Sequence, residues 1–439
     1  MQKENKKQKH NKTKIMKIVK TIVFVAILLL LVVIVFVPSK NKNSISDKEK
    51  THSVSINQEQ QTEKNSIPKM FFTGNINEMQ EKSDKRQIQV KYESDNLKFE
   101  SYAILKVQGS YTLKFDKKNY NITFYEDEEC NKKKKYDMKW GEYSKYTLKA
   151  NWTDPLHSRN IVTAQIASEI NKKYGILADS INYGLTDGFP IEIYINNDFL
   201  GLYTLNIHKD YLFNLDDKDE NNIAIFANTP EPQAFEILET EEWNNYELEF
   251  GKNNEETLEK FNRLIDFIKN SSDEQFINDF DNYFNKDSVL NYYCLMNFAH
   301  LIDNVTRNIF LVTYDGKVWY MIPYDFDQSW GNEFRDYSII TDYENRHTSY
   351  YIQISPLWNR FKKLLKKEID LRYKELRKDI LTKENVINKM NSFYSLIPNN
   401  TLEKEQKKWN NKPDYERTYI NEYLDNELIY LDRIYGLSK

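Results

Sequence analysis

Thr21 to Val37 reads TIVFVAILLLLVVIVFV, seventeen residues without a charge, and Ile18 and Val19 extend the run past Lys20. A stretch of about twenty apolar residues matches the hydrocarbon thickness of a bilayer. In that medium the backbone can satisfy its polar groups within one segment only as a helix. The run ends in Val35-Phe36-Val37-Pro38, with no small-residue pair of the kind a signal peptidase cuts, so an uncleaved anchor over residues 18–37 is expected. The first twenty residues carry eight lysines and one glutamate, a charge of +7. The positive-inside rule then keeps residues 1–17 in the cytoplasm and sends everything after Pro38 outward, as a single-pass membrane protein with an extracytoplasmic body.

With +7 at one end and a net charge of −4, the rest of the chain carries −11. A body of that sign is unsuited to nucleic acid, which needs clustered Lys and Arg against phosphate. Residues 38–66 are polar, lack aromatics and show no apolar period, the pattern of a flexible tether. Cys130 and Cys294 make no CxxC or metal-finger spacing and are expected as free thiols, Cys294 and Cys130 both buried.

Residues 67–228 read mainly as strands, at 101–108, 120–124, 190–195 and 200–206, the last two joined across the turn-prone Asn196-Asn197-Asp198. One helix interrupts them, with Asp154-Pro155 as its start, Ile161, Ala164, Ile166 and Ile170 as its stripe, and Gly175 as its stop. From 234 to 439 the period becomes helical, for instance at Phe261, Leu264, Ile265 and Ile268, and again at Ile420, Leu424, Leu428 and Leu431. The proline-bearing segment 227–233 is the candidate hinge. An α+β protein of two lobes follows, β-rich then helical.

Within the helical half, Ile309–Tyr314 and Lys317–Pro323 flank Asp315-Gly316, the signature of a two-residue hairpin turn. That turn sets Tyr314 against Lys317 and Asn308 against Pro323. Asp325 then falls on the same face as Asn308, about 7–8 Å away along the diagonal. Asp303, five residues before Asn308, and Asp327, two after Asp325, add carboxylates at the same end. Oxygen donors of this kind suit Mg²⁺ or Mn²⁺, with Ca²⁺ as a further fit.

These blocks resemble the CotH kinase-like family, named for spore coat protein H. The resemblance runs through Lys106–Gly109 and Lys117–Tyr120, LKANWTDPLHSRNIVTAQ (148–165), GFPIEIYINNDFLGLYTLNIHKD (188–210), DNVTRNIFLVTYDGKVWYMIPYDFDQSWG (303–331) and SPLWNRF (355–361). It implies an atypical, two-lobed protein-kinase-like fold that moves phosphate from ATP to protein Ser or Thr, with a Ser/Thr-rich or coat-type surface protein as partner. By the same resemblance Asp303 is the catalytic base or a further metal ligand, Asn308 and Asp325 hold the metal, and Asp327 is a candidate second ligand. Gly109 forms the turn over the phosphates, and Lys117 or Lys118 supplies the phosphate-binding lysine. Lys149 and Arg159 lie in the second block, where Arg159 either holds phosphate or pairs with Asp154. The sequence departs from the family at Tyr111 and Asp116, which would crowd and repel phosphate if they faced it. A silent surface protein that binds or assembles through the same fold is the alternative. A metal hydrolase is a weaker one, since His300 is the sole histidine near the acids.

The topology is open to a direct check. Protease added to intact cells should trim the protein to a membrane-held stub. A body that stays protected, or a mature N-terminus that begins after Val37, would overturn the anchor.

Overall fold

The computed structural model describes residues 67–76, 79–228, 235–333, 338–339, 347–410 and 413–437. The expected anchor and tether, and residues 229–233 of the expected hinge, lie outside them. Among the described residues no helix is long and apolar enough to cross a membrane.

The first half is a closed barrel of seven strands. These are β1 (Lys69–Thr73), β2 (Lys85–Glu93), β3 (Lys98–Gln108), β4 (Asn119–Tyr125), β7 (Lys145–Lys149), β8 (Gly188–Ile195) and β9 (Asp198–Ile207); the two-residue strands β5 (Tyr136–Asp137) and β6 (Glu142–Tyr143) pair outside it. The order β1-β2-β3-β4-β7-β9-β8 closes through a parallel pairing of β1 with β8, Met70 opposite Ile193. The alternation in these strands explains the closure: Ile88, Val90 and Tyr92 of β2 and Ala103, Leu105 and Val107 of β3 are buried while their neighbours are not. Closing the sheet leaves no unpaired edge. The β-rich half is thus a closed barrel, where the β-rich lobe of a kinase-like fold was expected.

One helix, α1 (Arg159–Lys173), follows β7. It begins at Arg159, later than Asp154-Pro155 suggested, because Asp154 caps from a distance: its Oδ2 accepts the Arg159 N–H at 2.7 Å while Pro155 lies in the preceding turn. Gly175, at φ 65°, ends the helix as read.

A second, four-stranded sheet has the order β11-β10-β12-β13, from β10 (Ile223–Asn228), β11 (Tyr246–Phe250), β12 (Arg307–Thr313) and β13 (Tyr320–Pro323). β10 therefore belongs with the later half, although the sequence reading grouped residues up to 228 with the first. The connection out of the barrel is the stretch after Ile207. The helices of this half are α2 (Glu255–Asn270), α3 (Asp273–Asp279), α4 (Lys286–Phe298), which packs on β13, α5 (His347–Ile354), α6 (Pro356–Leu364), α7 (Lys366–Leu376), α8 (Lys383–Tyr394), α9 (Asn399–Trp409), which lies against β9 of the barrel, and α10 (Pro413–Ile434). The α+β class holds. Cys130 and Cys294 are free thiols, Cys294 buried and Cys130 partly exposed.

The β12–β13 register is one residue away from the expected one. Ile309 faces Pro323 and Val312 faces Tyr320. A two-residue turn would have required Trp319 to stay in the ladder. Instead its N–H donates to the Tyr283 carbonyl at 2.8 Å and its own carbonyl accepts from Asn285 N–H at 3.0 Å, so the loop lengthens. Asp315 stabilises the longer loop: one carboxylate oxygen accepts from Lys317 N–H and Val318 N–H, both at 2.8 Å, and from the Thr313 hydroxyl at 3.0 Å.

Burial opposes the Asp315 charge, but these N–H groups of Val318 and Lys317 outweigh it and lower the carboxyl's pKa. The folded value lies below the unfolded one, so the contribution is present at neutral pH and lost as pH falls through the folded value. Asp315→Ala should cost about 1 kcal/mol at pH 7, by analogy with a lost cap. In denaturant melts the difference from wild type should shrink below pH 4; a cost that is constant with pH would rule out the carboxylate as its source.

Candidate active site

Asp325 and Asn308 both adopt left-handed backbone, at φ 57° and 54°, which non-glycine residues reach mainly when the surroundings demand it. Asn308 is the extra residue of a β-bulge: Ala227 pairs with Ile309 and Asn228 with Arg307, so Asn308 has no partner on β10. Its carbonyl accepts from Tyr324 N–H at 2.9 Å and from the Asn304 side-chain amide at 3.1 Å. The same Asn304 amide reaches the Tyr324 carbonyl at 2.8 Å. Buried Asn304 thus ties the 303–308 loop to the segment that carries Asp325. The strand alternation that put Asn308 and Asp325 on one face does not carry through either residue.

Lys149 ends β7 and sits at the barrel's exit towards the second half. Its Nζ lies 3.0 and 3.1 Å from the two oxygens of Asp325, an even, two-pronged pairing. Burial works against the lysine's charge, but the Asp325 carboxylate more than offsets it, and its pKa rises above the ordinary lysine range. Asn160, on the first turn of α1, donates to Asp325 Oδ1 at 3.5 Å and accepts the Phe326 N–H at 3.2 Å. It belongs to the site and was missed from sequence; its place beside Arg159 in the SRN triplet was the available signal.

Asp327 lines the same crevice. Burial pushes its carboxyl well above the ordinary range, as do the nearby charges of Asp325, Asp303 and Asp154, against the opposing Lys149. The acids expected to converge do so electrostatically, yet among the described residues no three carboxylate, His or Cys side chains stand in a metal-ligating group. Asp303 is buried, and its Oδ1 lies 3.8 Å from Arg307 Nε. Neither Asp303 nor Asn308 is among the crevice-lining residues.

Two of the expected phosphate-binding lysines are engaged elsewhere. Lys117, 3% exposed, donates to the Ala150 and Leu202 carbonyls and pairs with Glu405 at 2.6 Å. Lys118 donates to the Leu113 and Phe115 carbonyls, both at 2.6 Å, and folds the turn before it. Both lysines ahead of β4 are thus structural here, and Lys149 is the cation that pairs with Asp325. Gly109, at φ 111°, starts a turn in which an added Cβ would lie 2.1 Å from Thr112 Oγ1, so glycine is required. Tyr111 does not crowd the crevice: it is 40% exposed, with Lys114 Nζ 3.5 Å from its ring centre. Asp116 likewise points to solvent.

Arg159 is buried and takes the second of its two expected roles. Its guanidinium donates to the carbonyls of Ser329 and Trp330, and its Nε is 3.6 Å from Asp154. His300 is fully buried.

Thr112, Phe115, Lys149, Trp152, Asn160, Asp325 and Asp327 enclose a void of about 20 Å³, room for roughly one water.

The family model described as CotH kinase protein matches residues 105–431, well over half of the chain and every residue of this site. No curated protein matches the sequence.

Asp327 offers a test of the acid cluster. Because its folded pKa is raised, it opposes folding at neutral pH and ceases to do so as pH falls towards the unfolded value near 3.8. Asp327→Asn should therefore melt above wild type at pH 7, with the gap closing as pH approaches 4. A variant that melts lower at pH 7 would mean the carboxylate is structurally satisfied and the cluster unstrained.

Proposed function

The chain belongs to the CotH kinase family, and from that premise we propose that it is a metal-dependent phosphotransferase that moves the ATP γ-phosphate to Ser or Thr of a protein. The observation that carries this reading is the Lys149–Asp325 pair, which joins the end of a barrel strand to the acid segment after β13. The order of parts supports a two-lobed kinase-like arrangement: glycine turn, lysine strand, helix, hairpin, helices, a D-x4-N loop and a second hairpin leading to Asp325-Phe326-Asp327. One departure stands beside it. A kinase lysine pairs with a glutamate of the following helix, whereas the one acid of α1, Glu169, pairs with Lys389.

Phosphoryl transfer asks for positioned charge more than covalent chemistry. Lys149 would bind the donor's phosphates, leaving Asp325 free to turn to a cation. Asp325, Asp327 and the Asn308 amide would hold Mg²⁺ or Mn²⁺. Asp325 and Asp327 both line the crevice, and their carboxylate oxygens are the hard donors such a cation takes. Bound there, the ion would neutralise charge on the transferring group. Asp303, on the loop that Asn304 ties to Tyr324, would orient the acceptor hydroxyl and take its proton. The backbone of the Gly109 turn would cover the phosphates. With the anchor at residues 18–37, the acceptor would be a surface or coat protein.

The silent-scaffold reading has one observation in its favour. The void beside Lys149 is far smaller than the several hundred Å³ that ligand pockets usually offer.

A transfer assay with ATP and Mg²⁺ or Mn²⁺ on residues 67–439 separates the two. Lys149→Met and Asp325→Ala should each lower turnover by about 100-fold or more, and the wild type should gain thermal stability from metal plus ATP. Wild-type protein with neither transfer nor a ligand-induced shift in Tm would favour the scaffold.

A further inference from the structure

We propose that α9 is an intramolecular strap that holds the Gly109–Lys118 turn down over the crevice. The helix leaves the helical half after Pro398, crosses to the barrel, and ends at Asn410 in left-handed conformation before α10 begins. Its inward face is Thr401 and Glu405, both buried. Glu405 divides its carboxylate between the two halves of this junction: Oε1 pairs with Lys117 Nζ at 2.6 Å, and Oε2 accepts the Leu202 N–H of β9 at 2.7 Å. Thr401 donates to buried Glu192 of β8 at 2.6 Å, and Lys404 pairs with the same carboxylate. Trp409 Nε1 donates to the Leu200 carbonyl at 3.0 Å. Gly201 lets the helix come this close. An added Cβ there would lie 2.7 Å from Lys117 Cε, 3.1 Å from Trp409 Nε1 and 3.2 Å from Glu405 Oε2.

Two lines of contact run from α9 to the turn. One is Lys117, the turn's penultimate residue, whose buried ammonium has Glu405 as its charged partner. The other is aromatic. Trp409 meets Trp152 edge-on at 5.7 Å, Trp152 stacks on Phe115 at 5.6 Å, and Phe115 meets Tyr111 edge-on at 5.8 Å. Phe115, Lys117 and Trp152 all line the crevice. The residues α9 grips are therefore the ones that would have to move for the one-water void to admit a larger ligand. Glu405 and Trp409 act as positioning residues for the turn, and the strapped state is the closed one.

The phosphotransfer reading supplies only the ligand for the test, MnATP. Trp409→Ala removes the aromatic line from a partly exposed position. Amide exchange across residues 109–118 of the free protein should then rise about tenfold, and MnATP should associate about tenfold faster. Glu405→Gln, which breaks the charge line and leaves Trp409, should act in the same direction. Faster exchange in α9 with the turn unchanged would overturn the strap, as would a freed turn in a variant that binds MnATP at the wild-type association rate. Faster turn exchange in variants that bind no nucleotide would leave the strap standing as a device and remove the phosphotransfer reading instead.

Discussion

Everything near the acid cluster is referenced to the Asp154–Arg159 corner at the head of α1. Asp154 caps the helix through the Arg159 N–H, and Arg159 turns its buried guanidinium to the carbonyls of Ser329 and Trp330. Thr163, one turn on, donates to the Ser329 hydroxyl and accepts the Trp330 indole N–H. Two consecutive turns of one helix therefore grip the chain just after Asp325-Phe326-Asp327. Carbonyl oxygens in a dry interior need donors, and a buried guanidinium needs acceptors, so each side of this contact is costly without the other. With α1 fixed against 329–330, Asn160 is placed to meet both Asp325 and the Phe326 N–H, and Lys149 on the strand before α1 comes within reach.

Much of this was legible in the sequence because it rests on local pattern. The strands expected at 101–108, 190–195 and 200–206 lie within one to three residues of the bounds of β3, β8 and β9, and the stripe Phe261, Leu264, Ile265 and Ile268 falls on α2. Class followed from the order of those patterns. What the pattern could not carry was long-range choice. Period-two alternation says that a strand is half buried, but whether a sheet curls to pair its first strand with β8 depends on partners far along the chain. The hairpin failed for a related reason. Asp-Gly favours a tight turn, yet Trp319 gains more from burial and from pairing beside Phe284 than from staying in the ladder.

The site residues divide along the same line. Asp325, Asp327 and Lys149 were legible as residue types and do line one crevice. The lysine assignment on β4's approach was not, because its outcome turns on Glu405, almost three hundred residues later. A sequence shows that Lys117 and Lys118 can reach opposite faces; it does not show which faces a distant helix has already claimed. Asn308 illustrates a different limit. Its role as a bulge with left-handed backbone is set by a slip in the β10–β12 ladder, for which asparagine is suited but by no means diagnostic.

The parallel seam between β1 and β8 has a consequence for how the chain is made. Lys69 pairs with Glu192, so the first strand to leave the ribosome must wait for more than a hundred residues before its second neighbour exists. During that interval β1 offers Met70 and Phe72, both buried in the finished barrel, on an unpaired edge. Contacts of such sequence separation form slowly, because loop closure precedes any gain from pairing. Assembly of this half is thus a late, all-or-nothing closure, and the nascent chain is at its most aggregation-prone just before β8 emerges.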